Sequence, residues 1–263
     1  MIASMDWEAV QRGAIVFYRF RDSPWSNISH GFLTRKGGVS APPFASLNLS
    51  HSVGDDPAAV AENMRRAFAA IGLRAEEIVT AWLIHGNEVA LVDAHHRGRI
   101  LEGVDGLITA ERGLALFMRF ADCIPVLLTD PALPAVGIVH VGWRGLAAGV
   151  LEAALEIFER RLGSCPSGLH AALGPGIGGC CYAVGPEVIE ALGPRLGRAL
   201  PLYRINGAWH LDLPEAVRRH LCHLGVPSVI TAGVCTACHL EDWYSHRAEH
   251  GRTGRFGAWI RNP

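Results

Sequence analysis

The chain has 263 residues, of which 49% are hydrophobic and 19% charged, with a formal net charge of −1. That composition supplies a sizeable core and excludes the one-signed surface field of a nucleic-acid or membrane-surface binder. No apolar run reaches about 18 residues without charge, so no membrane span is expected. Residues 1–21 mix Asp6, Glu8, Arg12 and Arg19 with apolar residues and lack the basic start and apolar core of an export signal. The seven cysteines are therefore expected to be reduced thiols in a cytoplasmic protein. Lysine occurs once, as Lys36, so a site lysine elsewhere is excluded.

In chain order, residues 23–43 are rich in Gly and Pro and read as a loop winding over the surface. Asp55-Asp56-Pro57 is a helix start, with a capping Asp and Pro at the first helical position. Val60, Met64, Phe68 and Ile71 then share a face, and Gly72 ends the helix. Residues 78–92 read as one or two strands, 106–109 and 114–120 as short strands, and 124–129 and 135–141 as buried ones. The spacing of Leu146, Val150, Leu151, Ala154, Leu155, Phe158 and Leu162 predicts one amphipathic helix over 144–162, stopped by Gly163. A strand at 169–173 leads into the glycine loop 174–179, read as a close-packed turn at the rim of a site. Helices at 186–192 and 213–224 and a final core strand at 229–233 complete the series. No linker or composition break divides the chain, so residues 1–263 are expected to form one domain. Strands alternating with helices imply a layered α/β fold, with its site just past the strand ends.

Three residues at such ends carry the chemistry: His85 in Leu83-Ile84-His85-Gly86, Cys123 in Ala121-Asp122-Cys123-Ile124, and His140 in Val139-His140-Val141-Gly142-Trp143-Arg144-Gly145. Two imidazoles and a thiolate suit zinc with one coordination position left open. The same trio equally suits a Cys nucleophile with a His base. Asp122 is placed to orient an imidazole or to cap a turn. Arg144, at the start of the long helix, offers a fork-shaped cation to a phosphate or carboxylate. Arg35 and Asn48 from the N-terminal loops, and Ser245 and Arg247 near the C-terminus, are further candidates to reach into a pocket, with ordinary turn chemistry as the alternative. Cys235-Thr236-Ala237-Cys238-His239 matches the haem-attachment pattern, which requires export, or half a zinc site with His246 and His250 nearby. The vicinal Cys180-Cys181 pair is expected to remain as free thiols.

With these motifs in view, the chain resembles the bacterial laccase-domain, or polyphenol-oxidase, family, members of which are described as purine nucleoside phosphorylases. The resemblance runs in order through residues 30–40, Ser46-Leu47-Asn48-Leu49, His85-Gly86, Asp105-Gly106-Leu107-Ile108-Thr109, Ala121-Asp122-Cys123-Ile124-Pro125-Val126, the His140–Gly145 segment, Leu173-Gly174-Pro175, Cys235-Thr236 and Ser245-His246-Arg247. It implies an α-β-β-α sandwich of the cytotoxic-necrotising-factor type of cysteine hydrolase. It also implies a metal, zinc or alternatively copper, on His85, Cys123 and His140. The implied activity is phosphorolysis of adenosine, inosine and methylthioadenosine, with adenosine deamination on the side. A nucleoside and phosphate would be the partners of a monomer or weak homo-oligomer. Leu83 stands where the family often carries Gln, and Val141 where Ala is common. Copper oxidation of phenols, a cysteine-dependent amidase acting on cell-wall precursors, and a metal-carrying protein without turnover are the competing readings. The oxidase is weakened by the absence of any His-x-His pair.

Overall fold

The computed structural model describes residues 7–197 and 200–263. The first six residues of the segment read for an export signal, and residues 1–6 and 198–199 of the one-domain reading, lie outside them. The strands are β1 (Trp7–Arg12), β2 (Ile15–Phe20), β3 (Ser29–Leu33), β4 (Ile78–Trp82), β5 (Val89–Leu91), β6 (Ile100–Glu102), β7 (Gly106–Thr109), β8 (Ala115–Phe120), β9 (Ile124–Asp130), β10 (Ala135–Val141), β11 (His170–Leu173), β12 (Ala183–Val184), β13 (Leu202–Ile205), β14 (Ala208–Leu211), β15 (Ser228–Thr231) and β16 (Phe256–Arg261). The helices are α1 (Pro57–Ile71), α2 (Trp143–Ala148), α3 (Val150–Leu162), α4 (Pro186–Leu196) and α5 (Leu213–His223).

The fold is mixed α/β. One sheet runs β1-β2-β3-β16-β8-β4-β6, a second β15-β11-β9-β10-β7-β5, and a small third β12-β14-β13. Both large sheets are mixed: β4 is parallel to β6 and β8, and β11 to β15, while most other pairs are antiparallel. Period-two alternation assigns each side chain to a core. On β8, Leu116, Met118 and Phe120 meet Leu127 of β9 and Val136 and Ile138 of β10, closing the two sheets over a shared core. Ala115 and Phe117 point the other way, toward Phe68 of α1. On β9, Ile124, Val126 and Leu128 face Leu151, Ala154 and Phe158 of α3, together with residues of α4 and α5. The central strands are thus buried on both faces, which is why they read as continuous apolar runs.

The structure changes several sequence-level expectations. Residues 23–43 are not all surface loop: β3 lies between β2 and β16, and Phe32 and Leu33 are fully buried. The helix expected over 144–162 is two helices, because Gly149 adopts φ +93 and the Ala147 carbonyl accepts instead from the Arg195 guanidinium. The last core strand is β16, whose Phe256, Ala258 and Ile260 enter the core between the sheets. The first helix begins as expected: the Asp56 carboxylate accepts from the Ala58 N–H at 2.9 Å, and Gly72 closes the helix with φ +71.

His30 sits in this core against Trp25 and Phe20. Its Nδ1–H donates to the Ile28 carbonyl, and its Nε2 accepts from the Phe20 N–H at 3.1 Å. Burial lowers its pKa to about 4. Because the unfolded chain binds this proton near pH 6.5 and the folded chain only near 4, the folded state loses stability as pH falls through that window. The full loss is about 3 kcal/mol. Urea unfolding from pH 7 to 4 should show this slope in the wild type and a shallower one in His30→Gln; equal slopes would contradict it.

Candidate active site

The three ligand-type residues come together where the chain passes between sheets. β4 of the first sheet leads through His85 to β5 of the second, and β8 leads through Asp122 and Cys123 to β9. His140 lies near the end of β10, just before Gly142 and α2. The ligand atoms of His85, Cys123 and His140 all lie within 4.8 Å of one another. A Cβ on Gly142 would stand 2.9 Å from the Cys123 Sγ and 3.4 Å from the His85 ring, so only glycine leaves room for the trio here.

One carboxylate organises two members of the trio. Asp105 is fully buried, and its Oδ1 accepts from His140 Nδ1 at 2.9 Å. The antiparallel register that pairs Val139 with Gly106 puts Asp105 beside His140, whose own N–H donates to the Asp105 carbonyl. The carboxylate also accepts from the N–H groups of Ile84, His85 and Gly86, at 3.2, 3.0 and 2.8 Å. These bonds hold His85 at φ +60, a left-handed conformation costly for a residue with a Cβ. With Nδ1–H committed to Asp105, His140 keeps Nε2 for a ligand.

The electrostatics favour a thiolate beside an imidazolium. Burial alone would push the Cys123 thiol up, but His140 and His85 outweigh it and bring it down to about 6. Burial pushes His140 down, yet Cys123 and Asp105 overcome that and lift it to about 9. Burial likewise raises Asp105, while the His140 bond and the N–H donors outweigh it and hold it below the usual carboxylate range.

Asp122 does not orient an imidazole; it ties down the C-terminal segment. At φ +85, it accepts from Thr236 Oγ1 and Ser245 Oγ, both at 2.7 Å, and from the Arg247 N–H at 2.7 Å. Ser245 is thus fully buried behind the site and positions Asp122, rather than facing the cavity.

The trio opens into a cavity of about 580 Å³. Arg119, Arg144, Arg247 and Arg255 line it, and Asp122 is the lone carboxylate among its described lining residues. Arg144 stacks over Trp143 at 4.3 Å, and Arg247 over Tyr182 at 4.9 Å, while donating to the Ala183 carbonyl. Arg119 donates to the Leu49 carbonyl and to Thr80 Oγ1, and burial brings it down to about 10. His246 also lines the cavity; burial, then Arg255, lowers its pKa. Trp82 and Ile100, both more than half exposed, form an apolar mouth, and Leu83 lies on the wall.

Two further sequence candidates, besides Ser245, lie off the cavity. Arg35 donates to the carbonyls of Ala45 and Leu240 and to Glu249, stacks on Tyr244, and faces a separate groove. Asn48 is fully buried and holds Ser50, Asp55 and the Arg255 N–H, so it positions an arginine of the cavity without lining it. Sequence reasoning also passed over Asp105, Arg119, Arg255 and Tyr182. An acid opening a buried strand was the available signal for Asp105; the others are distinguished only by where the fold places them.

A family model described as multi-copper polyphenol oxidoreductase laccase matches residues 29–262. The chain belongs to this family. Among curated relatives of this laccase-domain protein, "Purine nucleoside phosphorylase YlmD" of Geobacillus stearothermophilus is 37% identical over 249 residues, covering 90% of this chain and 91% of that one. A purine nucleoside phosphorylase of Deinococcus radiodurans is 40% identical over 236 residues, covering 90% of each. The crystal structure of YlmD from Geobacillus stearothermophilus superposes with a TM-score of 0.92 at 35% identity, covering 97% and 98% of the two chains. That of the Bacillus licheniformis hypothetical protein YfiH gives 0.88 at 32%, covering 96% and 98%.

Removing the Asp105 carboxylate takes the acceptor from one buried imidazole N–H and from three part-buried backbone N–H groups. Asp105→Ala should therefore lose about 3–5 kcal/mol in urea unfolding. A loss below about 1 kcal/mol would contradict its organising role.

Proposed function

We propose that this protein is a zinc-dependent purine nucleoside phosphorylase, acting on adenosine, inosine and methylthioadenosine, with adenosine deamination as a side activity. The observation that carries this reading is the joining of the Cys123/His85/His140 trio to an arginine-lined cavity whose one lining carboxylate is already engaged. Such a cavity suits a dianionic co-substrate, and its volume suits a nucleoside. The names of the relatives support the same chemistry. The layering of two sheets between outer helices fits the cysteine-hydrolase type of sandwich that the family resemblance implies. The absence of a long apolar helix among the described residues is compatible with a cytoplasmic enzyme.

The residues present fit a single soft divalent cation: two imidazoles and a thiol converge, a carboxylate fixes one ring, and Gly142 leaves the space. Zinc bound there supplies a Lewis acid able to polarise a substrate oxygen or acidify a water. In phosphorolysis, a phosphate oxygen bonds to ribose C1′ as the C1′–N9 bond breaks and its electron pair leaves with the purine. Arg144, whose side chain makes a stacking contact and no ion pair among the described residues, holds the phosphate, with Arg247 and Arg255 beside it. Tyr182 and Trp143, which line the cavity, offer apolar contact to the base. His246, whose pKa is lowered by partial burial and by Arg255, offers the base a hydrogen bond. Leu83, where the family often carries Gln, leaves that stretch of wall apolar and shapes substrate choice.

A second reading rests on the Cys123–His140 pair, whose shifted pKa values also suit a thiolate nucleophile with an imidazolium acid. It predicts amide hydrolysis of a cell-wall precursor that neither phosphate nor chelator affects. The polyphenol-oxidase reading needs copper and more histidine ligands; the metal-capable groups among the described residues contain only His85 and His140.

Zinc-loaded protein incubated with inosine and adenosine should release free base and ribose 1-phosphate only when phosphate is present, and Cys123→Ala should abolish this. Arg144→Gln should raise the phosphate KM at least about tenfold, the loss of one charge-assisted contact of about 1.5 kcal/mol or more. Base release independent of phosphate would overturn the proposal, and an unchanged phosphate KM would remove Arg144 from it.

A further inference from the structure

Four of the seven cysteines meet about the turn that follows the glycine loop. Cys180 and Cys181 leave that turn, and Cys235 and Cys238 come from the segment after β15. Their four sulfurs all lie within 4.8 Å of one another, with Cys180–Cys238 at 3.4 Å and Cys181–Cys238 at 3.3 Å. None is disulfide-bonded. Zinc–sulfur bonds of about 2.3 Å in a tetrahedron put ligand sulfurs about 3.8 Å apart, within the range these thiols occupy. A cluster of several irons would hold its cysteines further apart. The Gly178 N–H points at Cys235 Sγ at 3.2 Å, a contact that stabilises a thiolate. The histidines that sequence spacing offered as partners, His246 and His250, do not join these sulfurs, and His246 lines the main cavity instead.

We propose that Cys180, Cys181, Cys235 and Cys238 form a second metal site, a closed tetrathiolate that binds one zinc-type divalent ion. Four protein ligands leave no open position, so the site is structural. It fastens together two segments that hold Asp122. The Ile177 N–H donates to the Asp122 carbonyl at 2.9 Å, and Thr236 Oγ1 to its carboxylate at 2.7 Å. The same segments already meet through Gly176 and Cys235 as an isolated bridge and through the Thr236 N–H and the Gly176 carbonyl. The second ion thereby braces the turn that presents Cys123, and it does so whatever reaction the first site performs.

Metal content of the full-length protein, purified anaerobically in zinc, tests this. The wild type should carry two equivalents, Cys123→Ala one, and the Cys180→Ser/Cys238→Ser double variant one. Cobalt substitution of the wild type gives a measure that needs no variant to fold. Its thiolate-to-metal absorption should reflect five bound thiolates, four at this site and one at Cys123. A single equivalent in the wild type, wholly lost in Cys123→Ala, would overturn the proposal. So would a disulfide joining Cys238 to Cys180 or Cys181 in the anaerobic protein, found by mass spectrometry.

Discussion

The site depends on a buried carboxylate that four donors keep charged. Asp105 has no exposed surface, and a carboxylate withdrawn from water is stable only when paired and hydrogen-bonded. Here one imidazole N–H and three consecutive backbone N–H groups meet that need. The backbone donors can converge on one side chain only if the chain turns sharply, and that turn is what sets His85 in its left-handed conformation. The position of one ligand, the ring orientation of another and the charge on the thiol between them therefore share one cause. Asp122 does the corresponding work on the opposite side, fastening Ser245, Thr236 and Arg247 behind Cys123.

How far the sequence disclosed this arrangement follows from the physics of each residue. His85, Cys123 and His140 stood out because soft ligands at the ends of apolar strands are chemically conspicuous. Asp105 did not, because a single acid before a short strand looks like turn chemistry until the strand register sets it beside His140. Arginines were the least legible. A guanidinium satisfies itself with carbonyls as readily as with a substrate, and Arg35 does so, whereas Arg144 is left facing the cavity. The helix break at Gly149 was hidden because the apolar spacing continues across it, and β16 because its glycine and flanking arginines dilute the alternation.

The family description and the names of the relatives point to different reactions, copper oxidation and nucleoside phosphorolysis. The cavity bears on that choice. Electron transfer through several coppers needs many imidazoles, and the trio offers two with one thiol. Of the four arginines beside the trio, Arg119, Arg247 and Arg255 already donate to carbonyls, whereas Arg144 faces the cavity with only a stacking contact, which suits a phosphate better than a neutral phenol.

The most direct measurement is anomalous diffraction at the zinc edge from crystals grown with hypoxanthine and phosphate. An anomalous peak bounded by His85, Cys123 and His140, with phosphate against Arg144 in the same cavity, is the expected result. No peak at the trio, or phosphate bound away from the cavity arginines, would contradict the proposed active site.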